Sequence, residues 1–191
     1  MANFSIAENL TFEDNVRMAE IEESYFDKSF IALPEVTWKW HKHNPRTVIA
    51  VRDDGTGLII GHMMFLPIDD QLYLKIKGGN FIDTEISTEH ILKYVKPGKY
   101  KLYFYVICVA PEYRKQGVSI MLVKEYAKKL LDLKKQGIYF TDIIADTITD
   151  SGGKFARKVL GMEVKKESMH ASEIMWTDGE SFYERLNLIN R

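Results

Sequence analysis

The chain has 191 residues, 46% hydrophobic, 12% aromatic and 28% charged, which is enough apolar material for one domain with a substantial core. Its 26 Lys and Arg against 27 Asp and Glu leave a formal net charge of −1, excluding a general electrostatic footprint for nucleic acid or an anionic membrane. A single cysteine, Cys108, excludes an intramolecular disulfide and fits a reducing compartment. No apolar run reaches the ~18 residues of a membrane span, and acidic residues interrupt the N-terminal segment before any signal-peptide core, so a cytoplasmic chain is expected.

"FSIA" (Phe4 to Ala7) reads as a short opening strand. Thr11, with Asp14 three residues on, forms a capping-box signal for a helix over 13–26, where Val16, Met18, Ile21 and Tyr25 recur among acidic residues. "TWKWHKHNP" predicts a second short helix ended before Pro45. Thr47–Arg52 and Leu58–Leu66, joined by "DDGTG", predict a hairpin. Residues 67–98 are the least regular part and read as an insertion, with a helix over "STEHILKYV" and "KPG" as its stop. "KLYFYVICVA", up to Ala110, is the strongest strand.

A long helix is predicted over 117–136. At 100° per residue, Ile120, Leu122, Val123, Tyr126, Ala127, Leu130, Leu131 and Leu133 fall on one half of the wheel and Lys124, Glu125, Lys128, Lys129, Asp132 and Lys135 on the other, with Met121 and Lys134 as exceptions. Strand 140–147, a short helix in "DSGGKFARKVLG", two closing strands and a terminal helix in "SFYERLN" complete a mixed α/β pattern. A single domain over 1–191 is expected, with the insertion at about 67–98.

Between the strongest strand and the longest helix lies "RKQGVS". A glycine-bearing turn into a helix exposes backbone N–H groups at a positive helix end, which suits phosphate. Gly117 lets an anion approach the backbone, and Arg114 and Lys115 add charge. The plainer reading is a tight turn with two solvated cations.

In its context, "YVICVAPEYRKQGVSIMLVKEYAKKL" resembles the acetyl-CoA signature of the GNAT-type N-acetyltransferase superfamily. Arg114, Gly117 and Ser119 stand at the motif's defined positions, and Val109, Pro111, Glu112 and Tyr113 match its lead-in. Ser119 departs from the family's Gly or Ala. "DSGGKFARKVLGM" is similar to a second family element. The resemblance implies an α/β fold with a mixed, mostly antiparallel central sheet, a splayed central strand pair and flanking helices. It further implies that acetyl-CoA serves as acyl donor, that amides from Gln116 through Gly117 and Val118 to Ser119 hold its pyrophosphate, and that the backbone near Val109 pairs with the pantetheine arm. Asp150 matches a family Asn that contacts pantetheine. The amine then attacks the thioester directly.

The proton-donating tyrosine of many members corresponds to Arg157, which cannot act as an acid and reads either as a fixed cation for the thiolate or as a solvated residue. Family base positions correspond to Tyr103 and Tyr105, on one strand face and two residues apart; they are proton relays or core aromatics. Ser151 is a cap or a proton donor, and Asp146 a base or a turn residue. Cys108 and His62 read as core residues. Trp38 or Trp40 lines the acceptor pocket in the family's layout, or anchors its helix. No metal is expected, since nothing completes a ligand set around "WKWHKH". The partner implied is a small-molecule amine, with no nucleic acid and no membrane, and a homodimer stays open. Two alternatives stay open as well: acetylation of a protein or peptide, and a non-catalytic acyl-CoA-binding module.

Overall fold

In the computed structural model, which describes residues 3–191, the apolar strand runs align into a seven-stranded sheet. The strands are β1 (Phe4–Ile6), β2 (Val48–Asp53), β3 (Ile59–Ile68), β4 (Gly98–Val109), β5 (Ile138–Thr147), β6 (Glu163–Glu167) and β7 (Glu173–Asp178). They lie in the order β1-β2-β3-β4-β5-β7-β6, and every neighbouring pair is antiparallel except β4–β5. The parallel pair needs a long crossover, which the 117–136 helix supplies.

Helices α1 (Phe12–Glu22), α2 (Pro34–His43) and α3 (Asp70–Gly78) cover one face, contributing Met18, Ile21, Trp40, Leu72 and Ile76 to its core. The other face packs under α4 (Val118–Lys135), α5 (Asp150–Lys158) and α6 (Gly179–Ile189). Thr11 and Asp14 form the expected capping box, with reciprocal hydrogen bonds of 3.2 and 2.9 Å. Along α4, Leu122, Tyr126, Ala127, Leu130 and Leu133 are buried, as the wheel requires. Each large apolar side chain buried this way contributes roughly 1.5–3 kcal/mol.

Two residues depart from that wheel. Ile120, in the first turn of α4, stands clear of the sheet and is 61% exposed. Lys129, counted on the polar half, runs its stem inward, and its ammonium donates to the Val48 carbonyl at 3.0 Å. Burial pushes its pKa down to about 8.

The segment between β3 and β4 differs most from expectation. No α-helix forms over "STEHILKYV"; only a 3-10 turn, Thr88–His90, does. Ile91 instead bridges to Ile68 of β3, and the His90 ring meets the Asp69 carboxylate at 2.8 Å, which takes both residues out of a helix. The helix of this segment lies earlier, in α3. Asp69 caps it by accepting from the Leu72 N–H at 2.8 Å, and the left-handed Gly79 ends it. A further 3-10 turn, Asp83–Glu85, packs near the turn Lys28–Phe30 that leads into α2.

Candidate active site

Two features of β4 open the sheet. Its ladder with β5 stops at the pair Tyr103↔Ile144, after which β5 continues along β7 and β4 along β3. Its register with β3 skips one residue, passing from Met64↔Val106 to Phe65↔Phe104, so Tyr105 is bulged. Beyond Tyr103 the two strands diverge, and a cavity of about 310 Å³ fills the gap.

The backbone groups facing that gap follow from strand pairing. Ala110 N–H donates to the Ile60 carbonyl across the β3 seam, so the alternate residues Cys108 and Val106 also bond toward β3. Val109 and Ile107 therefore turn their N–H and C=O groups the other way, into the gap. The Val109 carbonyl already accepts from the Tyr25 hydroxyl at 2.5 Å. Its N–H and both groups of Ile107 stay available to an extended ligand laid along the strand.

The α4 end of the cavity is the "RKQGVS" turn. Lys115 and Gly117 are both left-handed, at φ +62° and +87°, which curls the chain so that it enters α4 abruptly. Gly117 is the N-cap, and no side chain caps the helix. A Cβ added at Gly117 would meet nothing within 4 Å, so open space borders the turn on that side. The helix end is brought to this position by Gly61 of β3, where a Cβ would lie 2.8 Å from Val118 Cγ1 and 3.1 Å from the Cys108 carbonyl. An uncapped 18-residue helix with two cations at its mouth suits an anionic phosphate group.

Arg114, Lys115, Val118 and Ser119 line the cavity here, and Arg114 donates to the Tyr25 hydroxyl at 2.9 Å. Gln116 does not line it; its amide donates back to the Glu112 carbonyl at 2.9 Å. The exposed Asp150, at the first position of α5, does not line it either, and Thr149, Ser151 and Gly152 do. Thr149 is the helix cap, accepting from the Gly152 N–H at 3.1 Å, so Ser151 is a cavity hydroxyl beside it rather than the cap.

The opposite end of the cavity is acidic. Glu22 of α1, Asp83 of the β3–β4 connection and Asp146 of β5 all line it. Glu22 is tied to His62 Nε2 at 2.8 Å, so His62 is a paired strand residue. Asp83 Oδ1 accepts from the Tyr103 hydroxyl at 2.5 Å. Burial, with Asp146 and Glu22 nearby, holds Asp83 up at about 7 although the Tyr103 bond pulls it down. Asp146 is also raised, chiefly by burial, and its Oδ1 has no hydrogen-bond partner among the described residues.

Several predicted site residues lie elsewhere. Tyr103 is fully buried and touches the cavity only through Asp83. Tyr105 lines the cavity, although burial holds its phenol well above the usual range. Arg157 is outside it, its guanidinium 2.7 Å from Glu173 of β7. Since both partners are about two-fifths exposed, Arg157→Ala is expected to leave turnover unchanged and to cost no more than about 1 kcal/mol in a melting experiment. Trp40 is 0% exposed and packs edge-on to Tyr105, so it cannot stack on an acceptor. Trp38 stacks on His41 outside the cavity. Nothing in the sequence singles out Asp83, and Thr149 is legible only as a residue before a helix.

A diverging strand pair facing an uncapped helix end is the arrangement the acetyltransferase resemblance implied. The family model described as "Acetyltransferase (GNAT) family" matches residues 14–148, and the chain belongs to that family. It is an acyltransferase whose acetyl donor is acetyl-CoA. No curated protein matches it in sequence. Solved structures share the fold. The loading GNATL domain of CurA from Lyngbya majuscula superposes with a TM-score of 0.66 at 13% identity, covering 93% of this chain and 98% of that one. A mosquito arylalkylamine N-acetyltransferase like 5b gives 0.61 at 13%, covering 92% and 100%. A chain of the NatC complex bound to Gag peptide and CoA gives 0.57 at 12%, covering 91% and 95%. Among the described residues, no helix is long and apolar enough to cross a membrane.

Proposed function

We propose that this chain acetylates the amine of a small, cationic molecule by direct attack on the thioester of acetyl-CoA. The observation that carries this reading is the acidic end of the cavity. There the Asp83–Glu85 turn sits near the Lys28–Phe30 turn, and Glu22, Asp83 and Asp146 face inward. Such an end favours an ammonium over a neutral group and obstructs the open groove that an extended peptide would need. In this reading the pyrophosphate lies at Gly117–Ser119 with Arg114 and Lys115 beside it. The pantetheine arm runs along Ile107 and Val109, where an N–H polarises the thioester carbonyl. The Ser151 and Tyr105 hydroxyls line the cavity and can relay a proton from the reacting nitrogen to the departing thiolate.

The test is thermal unfolding with and without acetyl-CoA, followed by product analysis over small amines and over peptides with free N-termini. At a hundredfold excess over its dissociation constant the cofactor adds about 2.7 kcal/mol to stability, a clear upshift. Acetylated small amines and untouched peptides are expected. Acetylated peptides alone would overturn the small-molecule reading, and an upshift without any product would leave a binding module.

A further inference from the structure

We infer that Asp83 is the base that takes a proton from the incoming ammonium, and that Tyr103 is the residue that positions it. This rests on the amine-acetylation reading above.

Asp83 is contributed by the connection between β3 and β4, apart from the strands and helices that hold the rest of the cavity. Its neighbour Glu85 on the same turn is exposed, whereas Asp83 turns inward and lines the cavity. One carboxylate oxygen is fixed by the Tyr103 hydroxyl at 2.5 Å, which leaves Oδ2 as the acceptor. Tyr103 is itself immobilised, fully buried against Tyr105 with ring centroids 6.2 Å apart. Its backbone is the last of β4 to pair with β5, so the residue that holds the carboxylate is anchored at the apex of the divergence.

Among the described residues, the charged and titratable groups facing Asp83 leave it without a cation. From α1 comes Glu22, already bound to His62; from β5 comes Asp146, with His170 beside it; from β4 come Tyr103 and Tyr105. The lining cations, Arg114 and Lys115, belong to the α4 end. An entering ammonium supplies the missing charge. A carboxyl that titrates near 7 is also well matched to proton abstraction at neutral pH.

The step balances without any further reactant. One N–H proton of the ammonium passes to Asp83 Oδ2, and the freed nitrogen lone pair forms a bond to the thioester carbon. The C–S bond breaks with its electron pair on sulfur. A second N–H proton leaves the new amide nitrogen for that thiolate, giving the amide and the CoA thiol. Asp83 then returns its proton to water.

The experiment is the pH profile of kcat/KM for wild type, Asp83→Asn and Tyr103→Phe on an amine that the wild type turns over, with the acetyl-CoA thermal upshift measured on each. Wild-type kcat/KM is expected to fall as pH drops through about 7, as the carboxylate takes up its proton. Asp83→Asn should keep the upshift, lose about a hundredfold or more in kcat/KM at pH 8, and lose that limb. Because the folded state holds this carboxyl above its ordinary pKa, ionising it at pH 8 costs stability, so Asp83→Asn should also melt higher than wild type there. Tyr103→Phe removes the donation that lowers Asp83, so its limb moves to higher pH. An Asp83→Asn variant that stays within threefold of wild type, or keeps the acid limb, overturns the assignment while the acetylation reading stands. A wild type inert toward every amine overturns both. Should Asp83→Asn fail to fold, an unmoved limb in Tyr103→Phe overturns the assignment on its own.

Discussion

Replacing Gly117 with glutamate is expected to abolish acetyl-CoA binding in a chain that still folds. At φ +87° a residue with a Cβ carries backbone strain of roughly 1–2 kcal/mol, which a protein of this size tolerates. The space beside Gly117 is open, so no packing clash adds to that strain. The added carboxylate, however, would stand where the uncapped end of α4 presents its N–H groups, and would both cap them and repel a pyrophosphate. Affinity should fall at least a hundredfold. Thermal unfolding reads both parts at once, as a melting point slightly below wild type and no upshift on adding acetyl-CoA. A native upshift would mean that the turn is not the phosphate cradle.

Trp40→Ala should give the largest loss of stability among the residues discussed. The indole is fully buried in the core under α1, α2 and α3, and truncating a buried Trp costs about 3–5 kcal/mol. For a chain of this length that lowers the melting temperature by on the order of 10 °C. Trp40→Phe should cost much less, because it keeps an edge against Tyr105 and removes an indole N–H that has no partner. Were Trp40 an acceptor-stacking residue instead, the alanine variant would melt like wild type and raise KM for the amine.

These two positions mark how far the sequence could be read. Gly117 was legible because its signals are local: an apolar strand, a basic turn with one glycine, and then a helical period running on without a break. The long helix is legible residue by residue for the same reason, apart from Ile120, whose exposure depends on where the sheet ends beneath it, and Lys129, whose ammonium turns inward to the Val48 carbonyl. Trp38 and Trp40 could not be told apart. Two residues apart on a helix they point about 200° from each other, and only the packed sheet decides which one faces inward.

The acidic end was the least legible part. Asp83 sits in a stretch with no hydrophobic period, and its meaning comes from a hydroxyl 20 residues away on another element. The α3 helix carries only Leu72, Tyr73 and Ile76 toward the core, too few to stand out as a period, although Asp69 and Gly79 bracket it with a cap and a stop. The strand period puts Tyr103 on the same face as Tyr105 and suggests a direct role in proton transfer. Its burial leaves it a role only through the carboxylate it holds.

The measurement that bears most directly on the account is residue-resolved amide hydrogen exchange with and without acetyl-CoA. Protection is expected to rise at Ile107 and Val109, whose N–H groups face the gap, and at Gly117, Val118 and Ser119 at the head of α4, with little change along β1 and β2. Protection that leaves these five amides unchanged and appears elsewhere on the chain would contradict a cofactor site between the diverging strands.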